Sequence, residues 1–137
     1  MKTIILIGCV KTKLDHKAKA EELYISDLFK GRLKYAKMLN PDYIYILSAK
    51  YGLVDLKQEI EPYDKTLNTM PAVEIKKWAD EVVGQLSKTA DLQNDKFLFL
   101  CGKEYRKYLI PYIANHEVLL GNLSQGNQLQ FFKNLDG

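Results

Sequence analysis

The chain has 137 residues, of which 47% are hydrophobic and 27% charged, a balance that excludes intrinsic disorder and allows one buried core. Its formal charge of +3 permits an acidic partner but lacks the strongly basic balance of an obvious nucleic-acid-binding protein. We therefore expect a single domain covering residues 1–137.

The N-terminus superficially resembles a secretory start, because an apolar run over residues 4–9 closely follows Met1. That run is shorter and nearer the start than the apolar region of a signal peptide, and no stretch approaches the roughly 20 apolar residues of a membrane span. Cys9 and Cys101 form neither a zinc-binding nor a disulfide pattern, and both suit a reduced compartment. We expect a cytoplasmic protein that does not contact a membrane.

The first half of the chain predicts two strands around a helix. Residues 3–9 are aliphatic and β-branched throughout, which is typical of a strand covered on both faces. Ser26 is placed to cap a helix with apolar residues at helical spacing, and the helix stops at Asn40-Pro41. Residues 43–47 predict the second strand, and residues 54–68, which show no clear periodicity, predict a long ordered loop.

The second half predicts two more strands. Pro71 opens a helix that runs to about residue 86, residues 97–101 form the third strand, and residues 104–114 form a helix that Pro111 ends or distorts. Residues 117–120 predict a short fourth strand and residues 128–135 a closing helix. This alternation predicts an α/β fold, a Rossmann-like, mainly parallel sheet of about four strands flanked by helices.

Ligands of such sheets bind at the carboxyl ends of the strands, and the segment after the first strand is the first candidate. It places Cys9, Lys11 and Lys13 after Gly8, a mixture able to hold phosphate or carboxylate. The segment lacks the second glycine and following lysine of a nucleotide-binding P-loop, so triphosphate hydrolysis is not expected. The alternative is that both lysines are solvated turn residues.

The segment after the second strand contains Ser48, Lys50, Tyr51 and Gly52. Polar loop residues on a rigid scaffold often bind or react with ligands, and the glycine allows a turn or a close approach. The alternative is a plain turn in which Tyr51 packs its ring and Ser48 bonds the backbone.

The segment after the third strand repeats this arrangement with Gly102 and Lys103. The adjacent Glu104 is explained as a first-turn acid that complements the helix dipole. The sequence shows no Ser-His-Asp or Cys-His set and no metal-ligating pattern, so we expect no metal and no cofactor.

The long loop adds Tyr63 and Asp64, with Pro62 fixing the backbone before them. A tyrosine and an aspartate in that order could stack on a planar ligand and hydrogen-bond its edge. Equally, the tyrosine could close the edge of the core while the aspartate caps a turn.

Five motifs together resemble an uncharacterised bacterial and phage domain family, and they span most of the chain. They are C-x-K-x-K at residues 9–13, E-L-Y-x-S-x-L-F at 22–29, I-L-S-A-K-Y-G-L at 46–53, I-x-P-Y-D-x-T-L at 60–67 and G-x-Q-L at 126–129. The resemblance adds Gln128 to the candidate ligand-binding residues. Tyr51-Gly52-Leu53 with the segment at 60–63 is also similar to the core of the larger YaaA peroxide-stress proteins, and this implies DNA binding as a function.

These observations give a function hypothesis in which the domain handles a nucleotide, a nucleobase or a base within nucleic acid, acting at an N-glycosidic bond. The lysines and Ser48 would hold an anion, Tyr63 would stack, and Asp64 would act as base or stabiliser, so Asp64, Lys50 and Ser48 are the candidate catalytic residues. The expected partner is an anionic planar small molecule or a nucleic acid. One alternative is a non-catalytic DNA-binding module. The other is a stress-response protein of YaaA-like type in which the pocket no longer has a function.

Overall fold

A computed structural model describes residues 1–135 and contains a mixed sheet flanked by helices. The strands in chain order are β1 (Thr3–Gly8), β2 (Ala18–Lys19), β3 (Tyr43–Ser48), β4 (Gly52–Asp55), β5 (Glu59–Ile60), β6 (Lys96–Leu100) and β7 (His116–Val118). The α-helices are α1 (Ala20–Leu23), α2 (Asp27–Met38), α3 (Ala72–Ser87), α4 (Lys103–Arg106) and α5 (Gln125–Leu135). Two 3₁₀ turns lie at Leu67–Thr69 and Ile110–Tyr112.

The main sheet has the order β4-β3-β1-β6-β7, with β3, β1, β6 and β7 parallel and β4 antiparallel to β3. This confirms the predicted α/β class. From β1 the chain crosses to β3 on one side, then returns past β1 to β6 and β7 on the other. The direction of winding therefore switches between β1 and β6, and since crossovers between parallel strands are right-handed as a rule, we expect α2 and α3 on opposite faces of the sheet.

The core forms where both faces of the central strands are covered. Ile4, Ile5, Leu6 and Ile7 of β1 are completely buried, which explains why that strand is apolar at every position. Gly8 ends the run beside β6, where a Cβ would lie 2.8 Å from the Cβ of Cys101. Residue 8 is a glycine because the two strand ends approach too closely to leave room for a side chain.

The sheet is mainly parallel, as expected for the predicted sheet of about four strands, and the antiparallel β4 is a fifth strand that the sequence did not indicate. Gly52, with a φ of +76°, reverses the chain after β3, and Leu53 then pairs with Leu47. The segment predicted as a loop, residues 54–68, also contains β5, which pairs with β2 as a small separate sheet. Both pairings join short segments, so neither leaves a periodic pattern in the sequence.

The helix predicted at residues 104–114 is a correction, because α4 ends at Arg106 and Pro111 lies in a 3₁₀ turn. The last predicted strand is shorter than expected, and the closing helix begins three residues earlier, at Gln125. The cap of α2 is confirmed, since the Ser26 hydroxyl accepts a hydrogen bond from the amide of Phe29 at 3.1 Å. Within residues 1–135 no helix is both long and apolar enough to cross a membrane.

Candidate functional site

A cavity of about 650 Å³ opens at the carboxyl ends of β1 and β6, the pair of strands between which the winding switches. Open α/β sheets bind ligands at this place because the connecting loops diverge and leave a crevice. The lining residues come from five parts of the chain. They are Cys9, Val10, Lys11 and Lys13; Ser26, Leu28 and Arg32; Asp64, Lys65, Thr66, Asn68 and Thr69; Gly102 and Tyr105; and Gln125.

Arg32 is the most deeply buried charge of the cavity wall. Its side chain is on the inner face of α2 and only 4% exposed. Its Nε and Nη2 both donate to the amide oxygen of Gln128, at 3.3 and 3.2 Å, and no carboxylate of residues 1–135 pairs with it. Burial lowers the pKa of Arg32 from its usual value, and the nearby Arg106 adds to this effect. The guanidinium is thus a desolvated cation that a neutral amide satisfies only in part.

Two of the predicted lysines join Arg32 at the cavity. Lys11 is exposed, whereas the ammonium of Lys13 lies 4.4 Å from the centre of the Tyr63 ring and donates to the carbonyl of Lys11 at 3.1 Å. Burial lowers the pKa of Lys13, and the charges of Cys9 and Asp64 act in the opposite direction. With Lys65, four cations line the cavity against a single carboxylate, Asp64, in the described residues. The cavity therefore favours an anion.

Cys9 and Tyr105 bring a thiol and a phenol to the same wall. The Cys9 sulfur donates to the Tyr105 hydroxyl at 3.2 Å. That hydroxyl also accepts from the amide of Leu67 at 3.4 Å and lies 3.5 Å from the Thr66 hydroxyl. Burial raises the pKa of Tyr105 above its usual range, so the phenol is a neutral hydrogen-bonding group at physiological pH.

The segment after β3 does not line the cavity. Ser48 is completely buried, and its hydroxyl accepts from the amides of Lys50 and Tyr51 at 3.3 and 3.0 Å. The Lys50 ammonium lies outside, over the Tyr51 ring at 5.3 Å, and Gly52 forms the turn into β4. The structure thus brings Cys9, Lys11, Lys13, Asp64 and Gly102 together and leaves this segment as a support.

Tyr63 connects that support to the cavity. Its hydroxyl lies 2.7 Å from the Tyr24 hydroxyl and accepts from the Ser48 hydroxyl at 2.8 Å. Lys13 lies against its ring, and the ring of Tyr51 meets it edge-on at 5.7 Å between centroids. Burial raises the pKa of Tyr63 far above its usual range. These contacts place Tyr63 behind the cavity wall.

The remaining predicted residues lie beside the cavity. Lys103 is exposed in the first turn of α4. Gln128 is buried, and besides accepting from Arg32 it donates to the carbonyls of Leu120 and Leu123 at 3.3 and 3.2 Å. Gln128 therefore orients Arg32 without lining the cavity.

Arg32, Tyr105 and Thr66 are site residues that the sequence analysis did not select. The position of Arg32 carries a recognisable pattern, because it shares the buried stripe of α2 with Phe29 and Ala36. An arginine on an apolar stripe indicates a buried cation. No group of His, Cys, Asp or Glu able to hold a metal ion is present in the part of the chain that the structure describes.

Fold and site together define a doubly wound α/β domain with a cationic cavity at its switch point. The chain belongs to the family of unknown function DUF6884, whose model matches residues 4–134. This agrees with the expected uncharacterised domain family. No curated protein and no solved structure shows significant similarity to the chain.

Proposed function

We propose that this domain binds a nucleotide, with the phosphate held by Arg32 and Lys11, and acts at its N-glycosidic bond. The observation that carries the proposal is Arg32, a buried cation that lines the cavity without a carboxylate partner in residues 1–135. A desolvated guanidinium is costly to maintain unless an anion completes its hydrogen bonds. A bound phosphate would do so.

The size and polarity of the cavity support a nucleotide over inorganic phosphate. Its volume of about 650 Å³ lies within the range of small-molecule sites. Besides the cations, the wall contains hydroxyl and amide groups from Thr66, Asn68, Thr69 and Gln125. Such groups can hydrogen-bond the edge of a base or the hydroxyls of a sugar.

Helix α2 adds to the attraction for phosphate. It has 12 residues, and its capping residue Ser26 and first-turn residue Leu28 line the cavity. The free amides and the dipole at a helix N-terminus favour negative charge. Asp64, the carboxylate of the cavity, is the group placed to exchange protons with the ligand.

Calorimetric titration with a nucleoside monophosphate, its nucleoside, its free base and inorganic phosphate tests the proposal. The monophosphate should bind most tightly. Arg32→Met should weaken its binding by about 10- to 100-fold, the worth of hydrogen bonds to a charged group, and Lys11→Gln by less. Lys77→Gln, on the exposed face of α3, is the matched control and should leave binding unchanged. Equal affinity of wild type and Arg32→Met for the monophosphate would refute the proposal.

A second candidate function is DNA binding of the YaaA-like type, and one surface favours it. Lys30, Lys34 and Lys37 line a groove on the outer side of α2, at a spacing that places them on one helix face. Such a row matches a line of phosphates. The affinity for single- and double-stranded DNA should then fall steeply with salt, and undetectable binding at low salt would eliminate this function.

A further inference from the structure

The chain has two thiols, and only one of them opens into the cavity. Cys9 follows β1, its amide donates to the carbonyl of Leu47 at 3.1 Å, and its side chain lines the cavity at 8% exposure. Cys101 follows β6 and is exposed to nearly the same extent, 7%, but it does not line the cavity, and burial raises its pKa to about 12. Cys101 is therefore an unreactive core residue against which Cys9 can be compared.

Cys9 has polar neighbours in the cavity wall. Tyr105 lies 3.2 Å from the sulfur, and its hydroxyl can reverse to donate once the thiol proton is lost. The Lys13 ammonium is close enough for both Cys9 and Asp64 to raise its pKa by their charges. A thiol in the wall of a cavity that favours anions can act as a nucleophile once its proton is removed.

We propose that Cys9 is the nucleophile of this cavity, and that its substrate is a nucleotide whose phosphate lies on Arg32 and Lys11 while the anomeric carbon of the sugar lies at the sulfur. The thiol alone would not define a site. Independent evidence for a ligand comes from Arg32, 4% exposed and without a carboxylate partner in residues 1–135, in the wall of the same cavity. The inference rests on the proposed nucleotide binding.

The reaction consists of two displacements at the anomeric carbon. In the first, the sulfur of Cys9 bonds that carbon while the carbon–nitrogen bond breaks, and its electron pair leaves with the base. Asp64 takes the thiol proton and passes it to the base nitrogen. In the second, water attacks the same carbon, the carbon–sulfur bond breaks, and a water proton returns to the sulfur through Asp64. The products are the free base and the sugar phosphate.

Directed alkylation tests whether Cys9 and the cations form one site. Iodoacetate and iodoacetamide both form a carbon–sulfur bond and release iodide, but only iodoacetate is anionic. Relative to free cysteine, Cys9 should prefer iodoacetate by about tenfold or more, because a cationic cleft concentrates anions. Lys11→Gln and Arg32→Met should reduce that preference, and Lys77→Gln should retain it. Peptide mass spectrometry should show Cys101 unmodified under the same conditions.

The inference would be overturned if Cys9 of the wild-type protein showed no preference for iodoacetate over iodoacetamide relative to free cysteine. It would also be overturned if Cys101 were labelled faster than Cys9. A nucleoside monophosphate should protect Cys9, and acid quenching during turnover should leave the sugar phosphate on the Cys9 peptide. Nucleotide binding that leaves the rate of Cys9 labelling unchanged would refute the nucleophile while retaining the proposed function. Anion-directed labelling without nucleotide binding would refute the proposed function and the nucleotide substrate, and would retain the thiol as the reactive group.

Discussion

Replacing Arg32 by methionine tests whether this arginine stabilises the folded protein or is kept for binding an anion. The substitution removes two hydrogen bonds to the amide oxygen of Gln128, of 3.3 and 3.2 Å, each worth about 1.5–3 kcal/mol when the donor is charged, and it leaves that oxygen without a donor. It also removes the desolvation cost of a buried cation, which is several kcal/mol. Methionine has a similar length and fills the space. We therefore expect Arg32→Met to unfold within about 1 kcal/mol of wild type in ligand-free buffer.

Gln128→Leu removes the other partner of this contact and should lower the free energy of unfolding much more. It leaves the guanidinium buried without its acceptor and frees the carbonyls of Leu120 and Leu123. The expected loss is about 3 kcal/mol or more, and Arg32→Met should recover part of it in the double variant. Urea unfolding followed by circular dichroism measures all four proteins. A loss of about 3 kcal/mol in Arg32→Met itself would show that Arg32 serves the fold.

Two further predictions concern packing and alkaline pH. Gly8→Ala should lower the free energy of unfolding by about 1–3 kcal/mol, because the new Cβ would lie 2.8 Å from the Cβ of Cys101. Gly84→Ala, at a position of α3 with open space around it, should raise the free energy of unfolding by about 0.5–1 kcal/mol. Equal effects of the two substitutions in urea unfolding would contradict the close contact at Gly8. Burial raises the pKa values of Tyr24 and Tyr63 above their usual value of 10.0 in the folded protein, so the unfolded chain loses these protons first. The contribution of these two tyrosines to the free energy of unfolding should be complete below about pH 9 and fall above about pH 10, by up to about 1.4 kcal/mol per pH unit for each tyrosine. Tyr63→Phe should reduce this dependence of stability on pH. A free energy of unfolding that stays constant to about pH 12 would refute the prediction.

The fold class could be predicted because the central strands carry an unambiguous pattern. A strand buried on both faces has no polar positions, and Ile4 to Ile7 satisfies that condition. The edge strand β4 could not be predicted in the same way. It has four residues, one face is partly solvated, and its pairing depends on the turn at Gly52. Short edge strands obtain their stability from their neighbours and leave little trace in the sequence.

The cavity lies at the strand ends where the sequence led us to expect a site, and some of the candidate residues line it. The carboxyl ends of parallel strands meet at one edge, so Cys9, Lys11 and Gly102 followed from topology alone. Arg32 did not, because its burial depends on Gln128, a residue of α5 that lies 96 positions away in the chain. Long-range contacts of this kind decide whether a helical arginine faces solvent or a cavity.

The segment after β3 reaches the site through Tyr63. Ser48 donates to the Tyr63 hydroxyl at 2.8 Å, and Trp78 of α3 donates to the Ser48 carbonyl at 2.8 Å, so the end of β3 is fixed from both sides. The next residue of the loop, Asp64, is exposed and lines the cavity. Because successive side chains of an extended segment point in opposite directions, anchoring Tyr63 inward is consistent with Asp64 facing the cavity. The ends of β1 and β6 thus contribute to the cavity wall, and the end of β3 anchors Tyr63, the residue before Asp64.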